Sequence, residues 1–303
     1  MTKKTREAVK ATLAIILVVI LIFVLWIYPL NQAGKIVSRP EGDTGQPTAS
    51  LPGVVGDTLT VISEDNQKLA GILFKTSSPK GTFVLVHGLF GDRNSQLEKA
   101  KMLVDSGFDV MVYDQRGYGQ SEGKYRSGGY YEAEDVQEVV SLLDLKNLLI
   151  HPVIIWGEDQ GATAAFRAWP LERRIDFVVA ENLVANGHDW QKRVIRKQDM
   201  SAPDLLLPVV WWWMKLKSSY EISAAASEIG EQYDWAVTNK AGKFIVAACG
   251  TGQTPDNNFL AALKNHGGNW MILPCADASA GGGLYGGHKD ALLSAITAMI
   301  GGK

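Results

Sequence analysis

The sequence WGEDQGA at residues 156–162 has a glycine two positions before and two positions after an aspartate. A short apolar run before it and an alanine-rich run after it predict a buried strand, a sharp turn and a helix. Gly157 and Gly161 are needed in so tight a bend, because a side chain at either position would clash with the backbone. The central residue, Asp159, is therefore expected to project from the corner between the strand and the helix.

Strands and helices alternate on both sides of this corner. A hairpin is predicted first, and the later strands are short apolar runs typical of strands that are buried on both faces. This alternation predicts an α/β fold with a mostly parallel sheet and helices on both faces. The predicted strands are 58–63, 68–74, 83–86, 109–113, 153–156, 177–180, 243–248 and 270–273, and the predicted helices are 95–106, 131–145, 160–169 (ending before Pro170) and 289–300.

Four further motifs accompany the corner in a definite order. LVHGLFGD at 85–92 ends a strand in a glycine turn, which allows backbone N–H groups to point into a site. YDQRGYGQSEGKY at 113–125 is a strand followed by a glycine-rich turn, and GGYYEAEDV at 128–136 leads into a helix. GGHKDALL at 286–293 supplies a histidine after the last predicted strand.

Together and in this order, these motifs resemble the α/β-hydrolase fold over roughly residues 58–301. Within that fold they look like the bacterial branch of membrane-anchored or secreted hydrolases near the monoacylglycerol-lipase and serine-aminopeptidase-like group. The resemblance implies an acid–histidine–nucleophile arrangement, in which Asp159 stands where the family has serine and His288 matches the catalytic histidine. It also implies an oxyanion hole made by the backbone N–H groups of Leu89 and Gln160.

The acid of that arrangement has two main candidates, and a third, Asp277, is less favoured because it precedes the glycine-rich loop ASAGGG. The family's Gly-x-x-Asp pattern places Gln253 of CGTGQTPD where the acid is expected, and Asp256 follows three residues later. Glu181 lies at the end of the preceding predicted strand, where some relatives with an aspartate nucleophile carry their acid. The sequence does not choose between Asp256 and Glu181.

An aspartate at the corner indicates a different chemistry from that of a serine. Its side chain type has a reference pKa of roughly 3.9, so it is ionised near neutral pH and needs no base in order to attack. It suits displacement at a saturated carbon or opening of an epoxide, followed by hydrolysis of the resulting ester by water that a histidine activates. Haloalkane dehalogenases and epoxide hydrolases, which share the α/β-hydrolase fold that this sequence resembles, work in this way. The predicted substrate is an epoxide, a haloalkane or an activated ester.

The opposite interpretation is that the protein has lost catalytic activity and that Asp159 replaced the nucleophilic serine as a consequence. Gln160 stands where dehalogenases usually place a tryptophan that holds the halide, and the surrounding motifs resemble the serine branch more closely. A chain released from esterase chemistry would keep the fold as an inactive scaffold or as an accessory subunit of a membrane-protein complex. Both interpretations stay open at the level of sequence.

The first 30 residues predict a membrane anchor. Basic residues precede an apolar run at 11–28, which at about 1.5 Å per residue crosses most of a hydrocarbon core of roughly 30 Å. Its length argues against a cleaved signal peptide. We expect a single-pass protein whose N-terminus is cytoplasmic and whose hydrolase domain, 58–303, is periplasmic or extracellular. Residues 31–57, rich in Gly, Pro, Ser and Thr, are expected to form a linker.

An insertion at about 183–240 interrupts the alternation of strands and helices. It contains PVVWWWMKLKSSY at 208–220, and three adjacent tryptophans point in different directions on a helix. One expectation is a helical cap packed over the carboxyl edge of the sheet. The other is a surface for lipid or for a partner subunit.

Composition argues against several other classes of function. Lys and Arg number 30 against 32 Asp and Glu, without a basic block beyond the first ten residues, so nucleic acid is not an expected partner. Cys249 and Cys275 provide neither a disulfide framework nor a zinc spacing. The loop at 113–125 lacks the Gly-Lys-Ser/Thr ending of a phosphate-binding loop, and neither a metal nor an organic cofactor is expected.

Overall fold

The computed structural model describes residues 2–39, 51, 53–89, 91–181, 183, 194–195, 204–218, 245–247 and 293–298. The chain divides into two compact units, one made of 1–38 with 191–220 and the other of 39–190 with 221–303. The helices are α1 (Lys3–Ile22), α2 (Tyr28–Val37), α3 (Leu97–Asp105), α4 (Tyr131–Leu145), α5 (Gln160–Leu171) and α6 (Leu207–Ser218). The strands are β1 (Gly56–Ile62), β2 (Lys68–Phe74), β3 (Thr82–Val86), β4 (Asp109–Tyr113), β5 (Val153–Glu158), β6 (Phe177–Glu181) and β7 (Ile245–Ala247).

The larger unit is built on a seven-stranded sheet in the order β1-β2-β4-β3-β5-β6-β7. β1 and β2 form the predicted antiparallel hairpin, and β2 also runs antiparallel to β4. The remaining neighbours are all parallel. The prediction of a mostly parallel sheet is therefore confirmed.

Two hydrophobic clusters lie on opposite faces of this sheet. Alternate residues of β3 divide between them, because successive side chains of a strand point to opposite faces. Val84 and Val86 pack with α4 and α5 in one cluster, and Phe83 and Leu85 pack with α3 and with Ala295 of the helical stretch at 293–298 in the other. The central strands β3 and β4 are buried along their whole length.

Several element boundaries differ from the sequence prediction. Pro170 lies inside α5, which ends one residue later, so the missing N–H and the ring disturb only the last turn. The helix predicted from residue 95 begins instead as a short 3₁₀ turn, Arg93–Gln96, whose N-cap is Asp92. α2 continues to Val37, so the first part of the segment assigned to a linker is helical. The strand predicted at 270–273 lies outside the described residues.

The smaller unit contains a long apolar helix. α1, a π-helical turn and α2 follow one another without a break over Lys3–Val37, which is long and apolar enough to cross a membrane. The π turn, Phe23–Ile27, ends two residues before Pro29. A proline ring clashes with the carbonyl group four residues earlier, and the wider backbone of a π turn relieves that clash. The 35 residues span about 50 Å at ~1.5 Å per residue.

The tryptophan-rich part of the insertion forms the helix α6, and a helix was predicted there. α6 packs against α2 within the smaller unit. The ring of Trp213 meets the ring of Trp26 edge to face, with the centroids 5.5 Å apart. The tryptophan-rich insertion and the N-terminal helix are therefore packed together, a contact between segments far apart in the sequence.

Candidate active site

Asp159 occupies a strained corner between β5 and α5. Its backbone has φ 47° and ψ −112°, a region that residues with a Cβ rarely adopt and that costs about 1–3 kcal/mol. Two hydrogen bonds hold it there. The Asp159 N–H donates to the carbonyl oxygen of Glu181 at 2.8 Å, and the Asp159 carbonyl oxygen accepts from the Thr163 N–H at 3.2 Å. The neighbouring strand and the first turn of the helix thus fix the corner from both sides.

The two glycines of the motif make this corner possible. A Cβ on Gly157 would lie 2.1 Å from the carbonyl oxygen of Gly161. A Cβ on Gly161 would lie 2.5 Å from the carbonyl oxygens of both Val86 and His87 at the end of β3. Because these neighbours are backbone atoms that cannot swing aside, the steric requirement read from the sequence holds in the structure.

The strain at Asp159 predicts a measurable gain in stability when the Cβ is removed. Asp159→Gly and Asp159→Ala both lose the carboxylate, but only alanine keeps a Cβ at positive φ. We expect the glycine variant to be about 1 kcal/mol more stable than the alanine variant, net of the greater unfolded-state entropy of glycine. Denaturant unfolding of both variants measures this difference. Equal stability, or a more stable alanine variant, would show that the corner is not strained.

The Asp159 carboxylate faces the glycine turn that follows β3. A Cβ on Gly88 would lie 2.9 Å from Asp159 Oδ2, so only glycine leaves room for the carboxylate. Leu89, the next residue, is buried, and Asp159 itself is 7% exposed. Gln160 is the first residue of α5, where backbone N–H groups lack an intrahelical acceptor and the helix dipole favours negative charge. The structure thus brings together Asp159, Gln160 and the turn that carries Leu89.

A buried histidine braces that turn. His87 Nε2 accepts from the Gln115 backbone N–H at 3.0 Å, so the ring carries its proton on Nδ1, which lies 3.0 Å from the Gly88 carbonyl oxygen. The Gln115 side-chain amide donates to the His87 carbonyl oxygen at 2.5 Å. The ring also meets that of Tyr118 edge to face, with the centroids 4.9 Å apart. His87 is therefore a structural residue that shapes the turn.

The glycine-rich loop after β4 supports the same region through a buried ion pair. Asp114 Oδ2 accepts from the Arg93 guanidinium at 2.8 Å, and Asp114 Oδ1 accepts from the Arg93 backbone N–H at 2.8 Å. The Gln120 N–H donates to the same carboxylate at 2.8 Å. These bonds tie the segment after the Leu89 turn to the loop at 113–125 and give that loop a structural role.

A buried lysine lies beside the corner and was missed by sequence reasoning. Lys99 of α3 forms ion pairs with Glu158 and Glu181, and its Nζ is 2.7 Å from Glu181 Oε2. Nζ also lies 4.8 Å from the centroid of the Trp156 ring, whose Nε1 donates to Glu181 Oε2 at 3.2 Å. Burial lowers the pKa of Lys99, and the negative charges of Glu181 and Asp159 oppose that shift. Lys99 is therefore the cation that compensates the carboxylates at the ends of β5 and β6.

A spacing signal for Lys99 was present in the sequence. Gln96, Lys99 and Leu103 recur at helical spacing and are all buried in the structure. A lysine on the apolar face of a predicted helix indicates a buried partner of opposite charge, because burying an unpaired ammonium group is very costly. Its partners could not be named from the sequence, since they belong to two other strands.

Comparison with known proteins settles the fold. The family described as alpha/beta hydrolase fold matches residues 81–197. A Pyrococcus furiosus esterase, Pf2001, superimposes with a TM-score of 0.63 at 17% identity, over 88% of this chain and 97% of that one. The chain has an α/β-hydrolase fold. Brefeldin A esterase, a bacterial homologue of human hormone-sensitive lipase, matches this hydrolase fold with a TM-score of 0.56 at 16% identity, over 90% of this chain and 84% of that one.

Sequence relatives of this α/β-hydrolase-fold protein carry no assigned activity. The uncharacterized protein YqkD of Bacillus subtilis is 30% identical over 141 residues, 46% of each chain. An uncharacterized protein of Mycobacterium tuberculosis is 33% identical over 122 residues, 39% of this chain and 43% of the relative. The chain spans less than half the length of these curated relatives.

Four of the six predicted site residues, Leu89, Asp159, Gln160 and Glu181, are among the residues that the structure describes. Asp159 and Gln160 form the corner, and Glu181 ends the neighbouring strand opposite Glu158, with its carboxylate bound to Lys99. Asp256 and His288 lie outside the described residues. Among the residues that the structure describes, no group of three His, Cys, Asp or Glu side chains is arranged to hold a metal ion.

Proposed function

We propose that this protein is a hydrolase in which Asp159 is the nucleophile and the substrate is an epoxide, a haloalkane or an activated ester. The observation that carries the proposal is the corner itself. A nearly buried carboxylate is held at positive φ against a glycine turn, where a Cβ on Gly88 would lie 2.9 Å from the carboxylate oxygen. Backbone strain of this kind persists where the surrounding structure enforces it, and such strain clusters at active sites.

The proposed reaction has two steps that share one carboxylate. In the first, an Asp159 oxygen attacks the electrophilic carbon, and the epoxide oxygen or the halide leaves with the bonding electron pair. The product is an alkyl ester of Asp159, or, from an activated ester that expels its alcohol or phenolate group, a mixed anhydride. In the second step, water attacks the Asp159 carbonyl carbon of the alkyl ester, His288 takes one proton of the water, and the alkoxide leaves with the oxygen that came from Asp159. The alkoxide then takes that proton from His288. The second proton of the water goes to the oxygen freed from an epoxide, or to solvent after displacement of a halide, and the carboxylate is regenerated with an oxygen from water. Water hydrolyses the mixed anhydride at either of its two carbonyl carbons.

The oxyanion of the second step forms on Asp159 itself. Its negative oxygen needs N–H donors beside the corner, and the backbone N–H groups of Leu89 and Gln160 are proposed for that role. Gln160 begins α5, so the helix dipole adds to the stabilisation. The same arrangement would serve a serine nucleophile, which explains why the surrounding motifs look like those of serine hydrolases.

Asp256 is the better of the two proposed partners for His288. The Glu181 carboxylate is already engaged by the Lys99 ammonium group at 2.7 Å and by the Trp156 N–H at 3.2 Å. A carboxylate that neutralises a buried ammonium group is not readily released to orient an imidazole ring. We therefore propose that Glu181 supports the corner and that Asp256 orients the His288 ring.

Isotopic labelling of Asp159 tests the two-step reaction. The full chain is incubated in water enriched in heavy oxygen with styrene oxide, 1-chlorohexane and 4-nitrophenyl acetate in turn, and its peptides are weighed after many turnovers. With styrene oxide and with 1-chlorohexane we expect heavy oxygen in the peptide that carries Asp159, because hydrolysis of the alkyl ester leaves a water oxygen in that carboxylate.

The peptide that carries Glu181 is the internal control and is expected to stay unlabelled. Turnover of styrene oxide or 1-chlorohexane without label at Asp159 would mean that water attacks the substrate directly, and the nucleophile assignment would be rejected. Absence of turnover with all three substrate classes would favour the second candidate function below.

We also propose that the N-terminal helix anchors the protein in a membrane as a single pass through residues 11–28. The helix is about 50 Å long at ~1.5 Å per residue, and its apolar side chains from Leu13 to Ile27 are largely exposed. The four basic residues that precede the run support an orientation with a cytoplasmic N-terminus and with the hydrolase domain on the periplasmic or extracellular side.

A second candidate function is an inactive scaffold or accessory subunit of a membrane-protein complex. The observation that favours it is the smaller unit, in which the apolar helix and α6 form a compact body separate from the hydrolase domain. Such a body offers a surface to other membrane proteins whether or not Asp159 reacts. Labelling of Asp159 distinguishes the two candidate functions, because a scaffold forms no ester at Asp159 and its carboxylate oxygens are therefore not exchanged with water.

A further inference from the structure

The helix α6 is apolar on two faces, and only one of them is buried. Leu207, Val210 and Met214 lie on the first face and are almost completely buried. Pro208, Trp212 and Leu216 follow one another at intervals of four residues on the second face, and all three are exposed. Helices that are apolar all round are typical of buried segments or of membranes.

The exposure of this second face is large for apolar side chains. Trp212 is 51% exposed and Leu216 is 55% exposed. Leu205, in the 3₁₀ turn Asp204–Leu206 that precedes α6, is 87% exposed and extends the same apolar region. We call these residues, Leu205, Pro208, Trp212 and Leu216, the α6 stripe. A contiguous apolar surface of this kind on a folded protein marks a site of contact with a partner or a membrane.

The α6 stripe is continuous with the apolar helix that is proposed to enter the membrane. Trp26 of that helix is 56% exposed and meets Trp213 edge to face at 5.5 Å. Trp213 in turn meets Trp212 edge to face at 4.9 Å. The exposed rings of Trp26 and Trp212 therefore both contact the ring of Trp213 within the smaller unit. A lipid layer around Trp26 would lie next to Trp212 as well.

The chemistry of this region fits the boundary between acyl chains and headgroups. Tryptophan rings favour that boundary because they have an apolar body and one N–H donor. α6 also carries Lys215, a half-buried residue with a long stem that allows its ammonium group to reach a phosphate while the stem stays apolar. These features lie beside a helix that is apolar and long enough to cross a membrane, so they favour lipid as the occupant of this surface.

We propose that the α6 stripe lies in the membrane interface, so that α6 is a second, surface-bound contact with lipid beside the single-pass anchor. The inference rests on the proposed anchor, because the contact with Trp26 sets the level of α6. Interfacial helices of this kind bury their apolar face about 5–10 Å into the headgroup and acyl boundary. The hydrolase domain is then joined to the membrane at two points of the chain.

Spin-label accessibility in vesicles tests this inference on the full chain. With Cys249 and Cys275 changed to serine, single nitroxide labels are placed through Trp212→Cys and, separately, Leu216→Cys. The protein is inserted into vesicles of phosphatidylethanolamine and phosphatidylglycerol. Collision rates are measured with oxygen, which concentrates in lipid, and with a nickel chelate, which stays in water. Leu17→Cys reports on the apolar helix, and Leu145→Cys, 81% exposed on the hydrolase domain, is the aqueous control.

We expect the ratio of oxygen to nickel collisions at Trp212→Cys and Leu216→Cys to exceed that at Leu145→Cys several-fold and to approach that at Leu17→Cys. A ratio equal to that of Leu145→Cys places the α6 stripe in water and overturns the inference. Low collision rates with both reagents mean that protein covers the stripe, which also overturns it. An aqueous ratio at Leu17→Cys refutes the anchor, and the inference falls with it, whereas Asp159 chemistry is untouched by any of these results.

Discussion

Replacing Lys99 with methionine is expected to lower the free energy of unfolding by about 3–5 kcal/mol. The side chain of Lys99 is 6% exposed and that of Glu181 is 1% exposed, so the ion pair between them is almost free of water. Methionine has a similar length but no charge, and it leaves the Glu181 carboxylate buried without the ammonium group of Lys99. A buried charge that has lost its counterion is among the most destabilising defects that one substitution creates.

A matched control lies two residues further along the same helix. Lys101 forms an exposed ion pair with Asp105, and exposed pairs of this kind contribute about 0.3–0.5 kcal/mol. Lys101→Met is therefore expected to change stability by less than about 1 kcal/mol. Denaturant unfolding in mild detergent measures both variants. A loss at Lys99→Met no larger than that at Lys101→Met would show that the pair is dispensable.

The sequence predicted the sheet and its helices well because their signals are local. The apolar run at 83–86 and the helical spacing of Val136, Val139, Val140 and Leu143 each decided an element without reference to the rest of the chain. The corner at Asp159 was equally local, because two glycines at fixed spacing leave few other conformations. The fold class therefore followed from short stretches read one at a time.

The features that the sequence did not reveal depend on contacts between distant segments. Lys99 meets Glu158 and Glu181 across three elements, so its partners became visible only when α3 was placed on the sheet. The packing of α6 on α2 joins two segments that are separated in the sequence by strands β1 to β6. Pro170 was predicted to end its helix, but a proline in the final turn removes only one hydrogen bond and is tolerated there.

Trapping of a covalent intermediate is the second prediction with a large expected effect. His288 is proposed to activate the water of the second step, so His288→Gln should leave the first step intact and stop the second. Removing a residue of this kind typically lowers turnover by about 10⁴-fold or more. The ester of Asp159 should then accumulate until nearly every molecule carries one substrate group.

The control for the trap changes the nucleophile in the same background. Asn cannot form the ester because its amide is not an anionic nucleophile, so the double variant Asp159→Asn with His288→Gln is expected to gain no mass from the same epoxide. Asp144→Asn with His288→Gln changes an exposed aspartate that pairs with Arg174, and it should be modified as fully as His288→Gln alone.

Intact-mass measurement of the His288→Gln variant after exposure to an epoxide tests the central claim most directly. The account predicts one added substrate mass per chain, located by peptide sequencing on Asp159 and released at alkaline pH as expected of an ester. An unmodified chain from a variant whose wild-type parent turns over the same epoxide, or a modification located on any other residue, would contradict it.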